Sequence, residues 1–85
     1  MVKFEDVKNV TTEEYFNGNQ FAINTFSDKY SFKKEDGSKE TPAEVFYRVA
    51  STIASMESTE ELKVYWTERW FDEMWNDWWR PGGSI

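Results

Sequence analysis

Residues 58–85, STEELKVYWTERWFDEMWNDWWRPGGSI, contain the strongest helix signal in the chain. Ser58 and Glu61 have the spacing of a capping box, in which a serine and a glutamate three residues later satisfy the first backbone amides of a helix. The sequence Arg-Pro-Gly-Gly at 80–83 disfavours further helix. We therefore predict a helix over about residues 59–79. It contains all five tryptophans, which are Trp66, Trp70, Trp75, Trp78 and Trp79.

The apolar side chains of this helix form a stripe that is too broad for one partner helix to cover. We expect Trp66 and Trp70 to lie inside the domain, and Trp78 and Trp79 to contribute more to docking than to stability. A stacking platform for nucleic-acid bases is an alternative use of tryptophan, but such platforms carry positive charge, and acidic residues predominate here. Core or interface packing is therefore the favoured interpretation.

Three carboxylates of the same helix offer a second alternative. Glu73 and Asp77 are one helical turn apart and Asp72 is their neighbour, so the three side chains have ligand types suited to a hard cation. Carboxylates on an exposed helix face more often keep that face hydrated. We favour the hydrated face and predict no metal site.

A second helix begins at Glu40, Thr41 and Pro42. Thr41 is suited to the N-cap, Pro42 is preorganised for the first helical position, and Glu44 completes a capping box. Apolar side chains follow at helical spacing and form a face that can meet a core. We predict a helix over about residues 42–56, packed against the tryptophan helix.

The segment 21–39 is rich in residues that favour strands. Phe21, Ile23 and Thr25 alternate with other side chains, and the Asp-Gly pair at 36–37 is typical of a tight turn. We predict a β-strand or hairpin there. Upstream, Thr11 and Glu14 have capping-box spacing, which predicts one short helix. The predicted fold class is α+β and helix-dominated, in a single small domain over residues 1–85.

A basic cluster surrounds the predicted hairpin, with Tyr30 and Phe32 between its members. Basic residues interleaved with aromatics are typical of single-strand nucleic-acid binding. Here acidic neighbours cancel most of the positive field, so a solvated hairpin is favoured. The lysines of the cluster are Lys29, Lys33, Lys34 and Lys39.

Composition excludes several functions. The chain has no histidine and no cysteine, which removes the commonest zinc ligands, thiol nucleophiles and every Ser-His or Cys-His arrangement. The net charge of −6 disfavours nucleic acid and anionic lipid as partners. No apolar run is long enough to span a membrane. We expect a cytoplasmic protein, and we expect these 85 residues alone to be catalytically inactive.

Several motifs resemble, in order and spacing, the amino-terminal segment of ribonucleotide reductase large subunits. A tyrosine, an Asp-Gly turn, an E-T-P helix start and an R-V-A helix follow one another in that family. The W-F-x-x-M helix and P-G-G turn resemble those of the adenosylcobalamin-dependent, class II enzymes. The residues that carry the resemblance are Tyr30, Asp36, Gly37, Glu40, Thr41, Pro42, Phe46, Arg48, Val49, Ala50, Ile53, Ala54, Trp70, Phe71, Met74, Pro81, Gly82 and Gly83.

The resemblance implies a structural or docking domain that packs against a catalytic barrel, the remainder of the reductase. The catalytic cysteines and the cobalamin contacts of the family are expected beyond Ile85, so no cofactor is expected in this segment and adenosylcobalamin is implied for the intact enzyme. The alternative is a free-standing acidic, tryptophan-rich module that binds or inhibits another protein. The residues expected to act in structure or interface are Glu40, Thr41, Pro42, Arg48, Trp66, Trp70, Trp75, Trp78, Trp79, Pro81, Gly82 and Gly83.

Overall fold

The computed structural model describes residues 1–78 and contains five α-helices in that range. They are α1 (Phe4–Val7), α2 (Thr12–Tyr15), α3 (Gln20–Lys29), α4 (Pro42–Ala54) and α5 (Glu60–Asp77). The described part of the chain is therefore all-α, and the predicted α+β class is wrong. None of these helices is both long and apolar enough to cross a membrane. The assignment of residues 1–85 to one domain stays a prediction.

The last two helices pack against each other and form the main helix pair of the fold. α4 begins as predicted, with a complete capping box between Thr41 and Glu44 and with Pro42 in the first turn. α5 begins one residue later than predicted, because the side chain of Thr59, not of Ser58, accepts the backbone N–H of Leu62. The two predicted helices are thus present, with small shifts at their ends.

The predicted strand or hairpin at 21–39 is replaced by helix over its first half. The Asn19 side chain accepts the backbone N–H of Ala22 and so caps α3. Ala22, Ile23 and Phe26 then recur at helical spacing and are buried, whereas Phe21 is 74% exposed. Burial of this face outweighs the strand preference of the aromatic and β-branched side chains, because intrinsic propensity differs by only about 1 kcal/mol between residue types.

The segment between α3 and α4 retains the predicted Asp-Gly turn but not the predicted strands. Gly37 has a φ of 90°, a backbone conformation that would be strained in a residue with a side chain. Lys33 and Lys39 form one antiparallel bridge across the turn, and no longer ladder occurs among residues 1–78. The loop is closed mainly by polar contacts to α4.

The core is built from phenylalanine rings contributed by four segments of the chain. Phe16 follows α2, Phe26 lies on α3, Phe46 on α4 and Phe71 on α5, and each is about 1–2% exposed. The predicted short helix at Thr11 is confirmed, including its capping box with Glu14. Val2, Phe4, Val7 and Tyr15 pack against the core from the amino-terminal side. Residues 1–15 therefore form part of the packed structure.

Candidate interaction surface

Trp75 of α5 and Trp78, the residue that follows this helix, belong to the aromatic core. The Trp75 ring lies 4.6 Å from Tyr15 and is stacked at 6.2 Å on Phe71, measured between ring centroids. The Trp78 ring lies 5.3 Å from Phe46 and 5.2 Å from Tyr30. Both rings are partly buried against core residues. Both rings therefore contribute to the packing of the domain, and the expected role of Trp78 in docking stays a prediction.

Trp66 and Trp70 lie on another side of the same helix. Their ring centroids are 6.3 Å apart, as expected for residues four apart on a helix. Trp70 touches the edge of the core, whereas Trp66 is not among the core-packed residues of the described chain. Tyr65 lies edge-on to Trp66 at 5.2 Å, and the Arg69 guanidinium lies 5.1 Å from the Tyr65 ring centroid. We call Tyr65, Trp66, Arg69 and Trp70 the Trp66–Trp70 surface.

This surface borders an open depression with a volume of about 480 Å³. Trp66 and Trp70 line it together with the terminal residue Met1 and several polar side chains. The expectation that Trp66 is internal is therefore wrong, because its partly exposed ring faces this depression. The polar side chains of the depression are Arg69, Asp72, Glu73, Asn76 and Asp77.

The carboxylates weighed as cation ligands do not assemble into a metal centre. No group of three or more potential ligand residues that could hold a metal ion occurs among residues 1–78. Asp72 has a different role, because its Oδ1 atom accepts the backbone N–H of Val2 at 2.6 Å and the Asn76 amide at 3.1 Å. It therefore fastens the amino terminus to α5.

Glu40 and Arg48 form a polar cluster that closes the loop before α4. The Arg48 guanidinium donates to both carboxylate oxygens of Glu40, at 3.0 and 3.2 Å, and to the Tyr30 carbonyl at 2.8 Å. The same carboxylate accepts the backbone N–H of Phe32 at 2.9 Å, and the Phe32 ring lies 3.8 Å from the Arg48 guanidinium. A buried hydroxyl, that of Ser31, donates to the Glu40 carbonyl. The cluster is structural.

Thr41 and Pro42 act at the start of α4 and bring no reactive group to a site. Pro42 is buried, and the Thr41 hydroxyl also donates to the Lys8 carbonyl at 3.1 Å. Partial burial works against ionisation of Glu44 and would raise the pKa of its carboxyl. The hydrogen bond from the Thr41 backbone N–H and the nearby Lys34 ammonium outweigh burial, so the pKa of Glu44 is lowered from its ordinary value.

The remaining site predictions fall beyond the described part of the chain. Trp79, Pro81, Gly82 and Gly83 all follow residue 78, so their assignments stay predictions. The amino-terminal segment also contributes, although none of its residues was among the predicted site residues. The Tyr15 hydroxyl donates to the Trp75 carbonyl at 2.8 Å, and the Phe4 ring lies 5.9 Å from Phe71. The aromatic residues Phe4 and Tyr15 are the sequence signal that could have identified this contribution.

The fold and this surface define a small all-α domain with an aromatic core and a tryptophan-bearing helix. The family model described as "ribonucleotide reductase, all-alpha domain" matches residues 16–85, which is well over half of the chain. The chain therefore belongs to this family, and the resemblance to the amino-terminal segment of ribonucleotide reductase large subunits is confirmed at that level. No curated protein and no solved structure matches the chain significantly.

Proposed function

We propose that this domain docks on the catalytic remainder of a ribonucleotide reductase and contributes to nucleotide reduction by packing. The observation that carries the proposal is the Trp66–Trp70 surface, in which two partly exposed indole rings line an open depression. Tryptophan, tyrosine and arginine are the residues most enriched among those that dominate the free energy of protein association. Here Trp66, Tyr65 and Arg69 occur together on one face of α5.

The intact enzyme is proposed to be of the adenosylcobalamin-dependent class, on the basis of the Trp70, Phe71 and Met74 pattern and the following Pro-Gly-Gly. We expect no cofactor site in this segment. It has no imidazole or thiolate, and the buried hydroxyls of Ser31 and Thr67 already donate to the carbonyls of Glu40 and Lys63. We therefore assign no residue of this segment to the cofactor. The cytoplasmic location stays a prediction.

The docking proposal is tested by mixing the 85-residue chain with the separately produced remainder of its reductase. Association is measured by calorimetry, and ribonucleotide reduction is measured in the same mixtures. Trp66→Ala is expected to weaken association by about 30-fold, which corresponds to about 2 kcal/mol for the loss of a large anchoring ring.

Phe21→Ala provides the matched control, because it removes another aromatic ring that is 74% exposed but lies on α3. It is expected to leave the dissociation constant within about twofold of the wild-type value, a difference of about 0.4 kcal/mol. A remainder that is fully active alone and does not bind the chain would contradict the proposal. Equal effects of Trp66→Ala and Phe21→Ala would show that docking uses another face. Tight binding to an unrelated protein, with no binding to the reductase, would favour the free-standing module.

A further inference from the structure

A second surface lies on the opposite side of α5, where residues 2–6 line a concavity together with side chains of α4 and α5. It is a groove with a volume of about 460 Å³, within the range of about 300–1,000 Å³ typical of binding pockets. We call it the α1 groove. Its apolar lining consists of Val2, Phe4, Tyr47, Val64 and Phe71.

The apolar side chains of the groove are partly uncovered. Val64 is 58% exposed and Tyr47 is 44% exposed, and the Phe4 ring, which packs against the core, lies 4.8 Å from the Tyr47 ring. Exposed apolar side chains that line one concavity are a mark of interaction sites, whereas isolated ones are common on any surface. A volume of this size accommodates one or two large apolar side chains of a partner.

The charges around the groove select the kind of partner. Its acidic lining residues are Glu5, Asp6 and Glu68, against the single cation Lys3. Lys8 pairs with Glu5 at 3.0 Å, whereas Asp6 and Glu68 form no salt bridge within residues 1–78. The chain as a whole carries −6, so a second copy or a polyanion would be repelled. A partner with positive charge beside its apolar side chains is complementary.

Part of the groove lies outside the residues that the family model matches. Val2, Phe4 and Asp6 form one of its walls, and all three precede residue 16, where the family match begins. The backbone N–H of Val2 donates to Asp72, and the Phe4 ring packs on Phe71, so this wall is held in place by α5. Residues 16–85 alone would not provide the groove.

We propose that the α1 groove binds a short peptide segment in which one or two large apolar side chains are flanked by lysine or arginine. This goes beyond docking through the Trp66–Trp70 surface and does not depend on it. With 3.6 residues per turn, Val64 and Trp66 point about 160° apart around α5. The two surfaces can therefore be tested separately.

The test uses the 85-residue chain and a pair of labelled peptides. Both contain one phenylalanine and one leucine, flanked by lysines in one peptide and by glutamates in the other. Fluorescence anisotropy is expected to show at least about tenfold tighter binding of the lysine peptide, with the difference shrinking as salt screens the charges. Amide chemical shifts are expected to change at residues 2–6 and around Tyr47 and Val64.

A pair of charge reversals on α5 separates the groove from general attraction to an acidic protein. Glu68→Lys is expected to weaken lysine-peptide binding by about tenfold, because it places a cation in the groove. Glu73→Lys makes the same change in net charge about 140° away around the helix and is expected to change binding by less than about twofold. Both side chains are exposed, and circular dichroism checks that each variant is folded.

Four results would overturn the proposal. The first is equal weakening by Glu68→Lys and Glu73→Lys, and the second is equal affinity for the two peptides or binding of neither. The third is a set of shift changes centred on Trp66 and Trp70. The fourth is a concentration-dependent dimer that Glu68→Lys alters, since it would assign the groove to a second copy. Val64→Asp gives an independent check of the apolar contact. The added negative charge alone would strengthen binding of the lysine peptide, so the weaker binding that we expect would show that the lost apolar contact matters more.

Discussion

Replacement of Phe46 by alanine tests whether the aromatic core is the main source of stability. The Phe46 side chain is 1% exposed, and its ring lies 5.3 Å from Trp78, 5.6 Å from Tyr15 and 5.8 Å from Phe26. The Phe46 side chain of α4 thus contacts rings of α2 and α3, and it lies 6.1 Å from the Trp75 ring of α5. Removal of this ring takes away contacts to all three helices at once.

The expected cost of Phe46→Ala is about 3–5 kcal/mol, which combines lost burial with the cavity that remains. A domain of this length has a free energy of unfolding of roughly 4–13 kcal/mol, at about 0.05–0.15 kcal/mol per residue. The substitution therefore removes between about a quarter and all of the stability. Phe46→Leu keeps most of the volume and is expected to cost about 1–2 kcal/mol, which gives a graded variant if the alanine variant does not fold.

The assay is urea denaturation followed by circular dichroism, which reports helix and is insensitive to altered tryptophan emission. With a slope of about 1 kcal/mol per molar urea, the midpoint should fall by about 3–5 M for Phe46→Ala and by about 1–2 M for Phe46→Leu. Phe21→Ala, on the exposed side of α3, should change stability by no more than about 0.5 kcal/mol. The aromatic-core argument would be refuted if Phe46→Ala and Phe21→Ala lowered the free energy of unfolding by the same amount within experimental error.

Two further predictions concern polar contacts. Arg48→Lys is expected to destabilise the domain by about 1–3 kcal/mol in urea titrations, because an ammonium cannot reproduce the paired hydrogen bonds to Glu40 and would leave acceptors unsatisfied. An unchanged free energy of unfolding would contradict the structural role of the Glu40–Arg48 cluster. Because the folded pKa of Glu44 is lowered, its ionisation stabilises the fold above the ordinary pKa of 4.5, and this contribution is lost as pH falls through the folded value. Glu44→Gln should therefore flatten the acid limb of the stability curve, and an unchanged limb would contradict the assignment.

Local capping patterns predicted the helix starts well. The Thr41 and Glu44 pair and the Thr11 and Glu14 pair both form the reciprocal bonds that their spacing indicated. Such bonds join residues three apart, so a sequence window contains all the partners. Where two caps compete, as at Ser58 and Thr59, the window does not decide between them.

The tertiary choices were less predictable. The segment 21–29 has the side chains of a strand, and only the surfaces available for Ala22, Ile23 and Phe26 in the folded chain make it a helix. The placement of Trp66 was not predictable for the same reason. Tyr15 of α2, Phe26 of α3 and Phe46 of α4 supply rings against which Trp75 and Trp78 pack, whereas Trp66 does not pack against the core. That face is defined by elements distant in sequence, which periodicity in α5 alone does not identify.

The bond between the Val2 amide and Asp72 has a practical consequence for protein engineering. It places Met1 in the depression beside Trp66 and Trp70, so an affinity tag or fluorescent fusion ahead of Met1 would emerge over the Trp66–Trp70 surface. Such a fusion would block access sterically and could imitate a loss of binding. The exposed turn at 35–38 is the better place for an inserted label, because Gly37 has open space around it and the turn lies outside the linings of both surfaces.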